Sequence, residues 1–190
     1  MLNEIAVVGF MIGVFLWMRR HPEDLKVLSL RSWWNGAKKL TWSQWGNWAW
    51  LTVAFTVLLY FAVPYLAVRA VELTKVPLID PSAYIPAQLA SRLILWVMIP
   101  LLPVIAVSEE WIFRDIIQRR LGARYKFVGL VIGAFLFAGY HLISGGMLWP
   151  ALLPTLGGGL IFGAAYQVGG LKLAVTSHLM YDYLALASMF

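Results

Sequence analysis

The sequence predicts an all-α protein, a polytopic bundle of transmembrane helices with about six spans. Two observations lead to this prediction. Of the residues, 61% are hydrophobic and only 13% are charged, and the apolar residues form continuous runs of nearly 20 residues, the length that crosses a bilayer as a helix. Only helices and closed barrels satisfy every backbone polar group in lipid, and continuous rather than alternating runs favour helices. The 190 residues are therefore expected to form one compact membrane domain.

The predicted spans follow one another with short connections. The first begins with Glu4 instead of a basic region and lacks a small-residue cleavage site, so we interpret it as a retained span, with a cleaved leader as the alternative. The six spans are approximately residues 2–18, 47–68, 84–107 or beyond, 127–145, 148–168 and 171–190.

A basic, tryptophan-rich segment connects the first two spans. Indole rings and long basic side chains both suit the headgroup region, so this segment is predicted to lie at the membrane surface and not to bind nucleic acid. Other basic residues follow the third span and precede the last, and the positive-inside rule then places these loops in the cytoplasm and both termini outside. The segment contains Arg19, Arg20, Lys26, Arg31, Lys38 and Lys39, interleaved with Trp33, Trp34, Trp42 and Trp45.

Proline and glycine mark two of the spans. Pro100 and Pro103 each remove a helical hydrogen bond and are expected to kink the third span. Gly159 and Gly163 form a GxxxG pair, which permits close helix contact. The chain has no cysteine, which excludes disulfides, thiolate chemistry and a cysteine-based zinc site.

Few ionisable side chains fall within the predicted spans. Each costs roughly 2.5 to 3.5 kcal/mol on insertion scales, so such residues are functional candidates. Counted at about 1.5 Å per residue from the nearest basic loop, Glu109 and Asp182 lie about 15 Å deep and His178 about 9 Å. His141 lies deeper, at about 22 Å, unless its helix is tilted or begins later in the chain. We interpret these depths as one shared, hydrated site. The residues are Glu109, Glu110, Arg114, His141, His178 and Asp182, with Arg92 nearer the outer end of its span.

The spacing of the acidic pair assigns each carboxylate a direction. Glu110 and Arg114 are four residues apart and can neutralise each other on one helix face. Glu109 is rotated by about 100° from Glu110 and is free to point elsewhere. Taken alone, this pattern equally fits a solvated salt bridge at a helix end.

Two further pairs have the same spacing. Phe137 and His141 are four residues apart, as are His178 and Asp182, and the second pair can hydrogen-bond. A single histidine in an apolar helix is usually satisfied by a neighbouring carbonyl, and a single phenylalanine is usually packing. The coincidence on three helices favours a shared site.

Three motifs occur in order: EEWIFR at 109–114, FAGYH at 137–141 and HLMYD at 178–182. Together they resemble the EExxxR, FxxxH and HxxxN/D series of the CPBP (Abi) family, the CAAX prenyl protease and bacteriocin-processing group of intramembrane glutamic endopeptidases. The resemblance covers about residues 84–190, which we take as a catalytic helical core, and leaves residues 1–83 as N-terminal spans with the basic segment. It implies proteolysis without a bound metal or other cofactor, in a cavity open to the cytosol, and we expect a prokaryotic cell membrane.

The resemblance also implies roles for the residues of the first two motifs. Glu109 matches the glutamate that activates water, Glu110 is its neighbour in the motif, and Arg114 matches the arginine that steadies both. His141 matches the histidine that assists at the water, with Phe137 as a supporting residue of the same motif.

The third motif departs from the family pattern. His178 and Asp182 match the pair assigned to oxyanion stabilisation, but the family often has asparagine at the second position. An ionised carboxylate cannot donate a hydrogen bond to an oxyanion. Asp182 is therefore either protonated or, as we prefer, accepts a hydrogen bond from the His178 ring and orients it.

The sequence leaves several functions open. The first is hydrolysis of a peptide bond in a membrane-associated, lipidated, leader or sorting-signal substrate. The second is a metal-dependent protease, although no HExxH motif is present. A non-catalytic immunity or adaptor protein and a proton-relay transporter are the others, the last disfavoured because no inverted repeat is evident. The expected partners are membrane lipid and a membrane-associated peptide or protein, and the oligomeric state is open.

Overall fold

The computed structural model describes residues 9, 12–13, 15–29, 35, 38–78, 93–144 and 147–188, and the regular elements among them are helices. A short 3₁₀ helix spans Pro22–Leu28, and α1 spans Trp42–Thr74. Helix α2 spans Leu93–Glu110 and continues as a π-helical stretch, Trp111–Gln118, called here the π segment, and a last turn, Arg119–Leu121. Helix α3 spans Lys126–Ser144, and α4 spans Leu152–Ala187 after a 3₁₀ turn at Trp149–Ala151.

Helix α1 has well-defined ends. A capping box opens it, in which the Thr41 hydroxyl accepts from the Gln44 amide and the Gln44 side chain accepts from the Thr41 amide. Lys75 closes it in the left-handed region at φ 59°, and its N–H donates to the Val71 carbonyl. The helix is thus longer at both ends than the predicted span 47–68.

Helix α2 widens into the π segment directly after the two glutamates. The helix runs through Pro100 and Pro103, and the kink predicted there stays a prediction. π-Helical hydrogen bonds join residues five apart and are rare. Where they do occur, they are often at functional sites. All residues of the π segment except Ile117 are buried. The polar end of the predicted third span therefore lies inside the protein, not at its surface.

Helix α4 is a hairpin of two helical arms. Gly170 has φ 69° and ψ −167°, a conformation essentially restricted to glycine. The rings of Phe162 and His178 stack with centroids 4.1 Å apart, whereas a straight helix would separate residues 16 positions apart by about 24 Å. The chain therefore folds back at Gly170, and the two arms lie where spans 148–168 and 171–190 are predicted.

The predicted number of about six spans is not confirmed. Among the described residues, three helices are long and apolar enough to cross a membrane: Trp42–Thr74, Lys126–Ser144 and Trp149–Ala187. The third of these includes both arms of the hairpin, which meet at the non-helical residue Gly170. Several predicted features lie outside the described residues. They are most of the span 2–18, residues 84–92, and Glu4, Arg31, Trp33, Trp34 and Arg92.

The GxxxG pair makes the close contacts that were predicted for it. A side chain added at Gly159 would press on the Ala134 backbone of α3, and one added at Gly163 would meet Leu130 and Gln118. Gln118 also donates from Nε2 to the Gly163 carbonyl at 2.9 Å. These small residues let α4 approach both α3 and the π segment, which brings the motifs of all three together.

Candidate active site

Glu110 is the buried centre of the polar cluster. Its side chain has no exposed surface, and Oε2 accepts a hydrogen bond from Arg114 Nε at 3.0 Å. Its other oxygen, Oε1, lies 2.9 Å from His178 Nδ1. Because an ionised carboxylate can only accept, His178 carries its proton on Nδ1 at this contact. Glu110 thus joins the π segment to the second arm of α4.

Glu109 faces the two histidines. Its Oε2 atom lies 3.8 Å from His141 Nε2 and 3.8 Å from His178 Nε2. The Glu109 side chain is 13% exposed, whereas that of Glu110 is 0% exposed. The two adjacent carboxylates therefore point in different directions, one into a buried ion pair and the other toward the two imidazoles.

The position of Asp182 corrects one prediction. Its Oδ2 lies 3.6 Å from His178 Nε2, which is beyond a good hydrogen bond. The hydrogen bond that orients the ring comes from Glu110 instead, at Nδ1. The spacing of four residues places Asp182 near the His178 ring. Glu110, on another helix, lies closer to the ring, at the opposite nitrogen Nδ1. Asp182 is left beside the nitrogen that also faces Glu109.

His141 is held in one tautomer by its own helix. Its Nδ1 lies 2.9 Å from the Phe137 carbonyl oxygen, which can only accept. In the neutral ring Nε2 therefore carries a lone pair, and this nitrogen faces Glu109. The Phe137 ring packs at 4.2 Å from the His141 ring and at 4.8 Å from the Arg114 guanidinium carbon. Phe137 thus supports both motifs by packing.

A cavity of about 330 Å³ opens beside the imidazoles. Its walls come from α1, α3, α4 and the chain segments next to them, and most of the lining is apolar. Such a space suits an apolar group of a ligand next to a few polar atoms. The lining residues are Val63, Ala67, Leu78, Phe137, His141, Met147, Ala151, Pro154, Thr155, Gly158, Phe162, His178, Tyr181 and Asp182.

Residues 91–184 match the family model of the type II CAAX prenyl endopeptidase Rce1-like proteins. This part of the chain belongs to that family. The matched range contains all seven residues predicted for the site, and the family predicted from the three motifs is confirmed. No curated protein and no solved structure matches the chain.

Because the Rce1-like proteins are a protease family, the chain is assigned to the membrane proteases. In the matched residues 91–184, called here the Rce1-like core, Glu109, Glu110 and Arg114 lie on α2 and the π segment. His141 and Phe137 come from α3, and His178 and Asp182 come from the second arm of α4. Among the described residues of the chain, no group of three or more His, Asp or Glu side chains has the arrangement of a metal site.

Sequence reasoning missed two supports of the Rce1-like core. Phe162 stacks on the ring of His178 with an interplanar angle of 23°, and a phenylalanine in an apolar helix gives no signal of such a role. Thr52 and Thr56 of α1 reach Thr176 Oγ1 and the Ser177 carbonyl at 3.3 and 3.5 Å. Threonines at four-residue spacing in an apolar span could have indicated a polar contact with another helix.

Proposed function

We propose that the protein is a glutamic-type intramembrane endopeptidase, in which Glu109 activates a water molecule for attack on a peptide carbonyl. One observation carries the proposal: a single oxygen of Glu109 lies 3.8 Å from Nε2 of both His141 and His178. Groups at this separation are too far apart for a strong direct hydrogen bond, but they can share one water molecule at about 2.8 Å from each.

The tautomer of His141 supports water activation. A water molecule between Glu109 and His141 can donate one hydrogen to the carboxylate and the other to Nε2. As the water oxygen bonds to the carbonyl carbon, one proton passes to Glu109. When the C–N bond breaks, the leaving amine takes that proton from Glu109, and the carboxylate is restored.

The oxyanion is stabilised by His178 in this proposal. The Glu110 carboxylate fixes the ring through Nδ1, which aims Nε2 at the space between Glu109 and Asp182. A protonated Nε2 donates to the developing oxyanion, and the surrounding carboxylates compensate the charge of the imidazolium. Asp182 then acts as a nearby charge and not as a donor.

The setting of the cavity supports a membrane-associated peptide or protein as substrate, with membrane lipid as the second partner. The walls are mainly apolar and are formed partly by helices that can cross a membrane. We place the cavity toward the cytoplasmic side of a prokaryotic membrane, following the distribution of basic loops. Nucleic acid has no role in this proposal.

The test compares membrane-associated peptides, by mass spectrometry, between cells with the intact protein and cells with Glu109→Gln. Peptide termini that require the intact protein should disappear, because loss of a general base typically lowers the rate about 10²- to 10⁴-fold. Glu72→Gln is the matched control, since Glu72 is 52% exposed and pairs with Arg69 at the end of α1.

Unchanged termini in the Glu109→Gln cells would contradict the proposal. Cleavage by purified protein that is lost on chelation and restored by zinc would instead favour the metal-dependent alternative.

A further inference from the structure

One buried acidic residue outside the site contacts side chains from both ends of the π segment. Asp24, in the 3₁₀ helix Pro22–Leu28, is 5% exposed. Its Oδ1 accepts from Arg119 Nη2 at 3.0 Å, and its Oδ2 accepts from Arg120 Nη2 at 2.7 Å and from Trp17 Nε1 at 3.0 Å. Its backbone carbonyl accepts from Trp111 Nε1 at 3.1 Å.

These contacts lie at the two boundaries of the π segment. Trp111 is its first residue and directly follows Glu110, while Arg119 and Arg120 directly follow its last residue, Gln118. One residue from a distant part of the chain therefore contacts side chains from both ends.

A π segment of this length depends on contacts from outside. π-Helical hydrogen bonding is rare and is mostly limited to single-turn bulges, whereas this segment has 8 residues. Two hydrogen bonds join it to α4: Tyr166 donates to Asp115 at 2.8 Å, and Gln118 donates to the Gly163 carbonyl at 2.9 Å. Relaxation to α-helical spacing would rotate the residues on either side by about 100° for each position of register lost.

We propose that Asp24 is a positioning residue for the acidic pair: by clamping both ends of the π segment, it sets the direction in which Glu109 and Glu110 leave the helix. This inference rests on the proposed function for its catalytic consequence. The clamp itself rests only on the contacts of Asp24. The 3₁₀ helix lies outside the matched range 91–184, so the clamp is an addition to the Rce1-like core.

Substitution of Asp24 tests the part of the clamp that its carboxylate makes with Arg119 and Arg120, because the backbone carbonyl that accepts from Trp111 remains. The side chains of Arg119 and Arg120 are 48% and 37% exposed. After the carboxylate is removed, both guanidinium groups can turn toward solvent, so the variant does not leave a buried unpaired charge. We therefore expect Asp24→Asn and Asp24→Ala to fold.

The experiment measures amide hydrogen exchange of the full chain in detergent or nanodiscs. In Asp24→Asn and Asp24→Ala, exchange in peptides covering residues 109–121 should rise roughly ten-fold, while peptides of α1 stay unchanged. Glu23→Gln is the matched control: it removes the same charge from the same short helix, but Glu23 is 57% exposed and bonds only to His21 among the described residues.

Cleavage of a substrate found by the mass spectrometry above gives the second readout. The value of kcat should fall in the Asp24 variants with KM unchanged, because the residues shown to hydrogen-bond to Asp24 are not among those that line the cavity. Exchange in 109–121 that equals that of Glu23→Gln would overturn the clamp, and a uniform rise over the whole chain would reduce Asp24 to a structural role. A local rise with unchanged kcat would overturn the positioning role. If the unaltered protein cleaves nothing, the proposed function fails, and the exchange profile alone decides whether Asp24 holds the π segment.

Discussion

Glu110 and Arg114 form a fully buried ion pair, and loss of either partner alone is expected to destabilise the protein strongly. Both side chains are 0% exposed and are joined at 3.0 Å. Glu110→Leu leaves the Arg114 guanidinium buried without its ion-pair partner, and Arg114→Met leaves the Glu110 carboxylate with the hydrogen bond of His178. Each single change should cost about 3 to 5 kcal/mol.

The double variant Glu110→Leu/Arg114→Met should be much less destabilised than the sum of the single variants. Replacing a buried ion pair by apolar residues of similar volume is often close to neutral. The remaining cost comes from His178, whose buried Nδ1 loses its acceptor, and such an unsatisfied group costs about 1 to 3 kcal/mol. The sum of the single changes is about 6 to 10 kcal/mol, so the coupling energy should be at least about 3 kcal/mol.

Equilibrium unfolding in mixed detergent micelles measures the unfolding free energies of the single and double variants. The exposed pair Arg69 and Glu72, joined at 2.7 Å with side chains 53% and 52% exposed, is the control. Its removal should have little effect on the unfolding free energy, because water screens both exposed charges. Additive costs for Glu110→Leu and Arg114→Met would refute the reasoning, because they would mean that water, and not the partner, stabilises each charge.

Two further predictions concern the ion pairs of Asp24 and the helix packing at Gly163. Burial raises the pKa of Asp24, but hydrogen bonds from Arg120, Trp17 and Arg119 outweigh burial and hold the pKa below its ordinary value. Its stabilisation is therefore complete above the unfolded-state pKa of about 3.9 and is lost as the pH falls through the folded-state value. The difference in unfolding free energy between the unaltered protein and Asp24→Asn should shrink at acid pH, and a difference independent of pH would contradict this. Gly163→Ala should destabilise by about 1 to 3 kcal/mol, because the added carbon meets Leu130 and Gln118. Gly139→Ala, where the added carbon meets nothing, should be neutral or stabilising by up to about 1 kcal/mol in the same assay.

The sequence predicted the elements that depend on local spacing. The membrane class follows from composition, and the Glu110 and Arg114 pair follows from their separation of four residues. The same rule assigned Asp182 to His178 and was wrong about the hydrogen bond, because spacing along one helix says nothing about a competing group on another. Glu110 reaches His178 from a distance of 68 positions in the chain.

The π segment and the Asp24 clamp could not be predicted from the sequence. Hydrogen bonding to the fifth residue instead of the fourth has no residue signature in Trp111–Gln118, whose hydrophobic pattern fits an ordinary helix. Asp24 lies in a segment of the sequence rich in charged residues, where a solvated side chain is the usual outcome. Only the fold shows that its partners come from positions 95 and 96 residues away.

The wall that α1 gives to the cavity limits how the protein can be dissected. Val63 and Ala67 line one side of the space next to His178, yet both lie upstream of residues 91–184. A chimera that grafts only the matched residues onto a foreign anchor would carry every acidic and imidazole group, but acyl chains could enter through the missing side. Exchange of parts between relatives should therefore transfer α1 together with the residues that it shields.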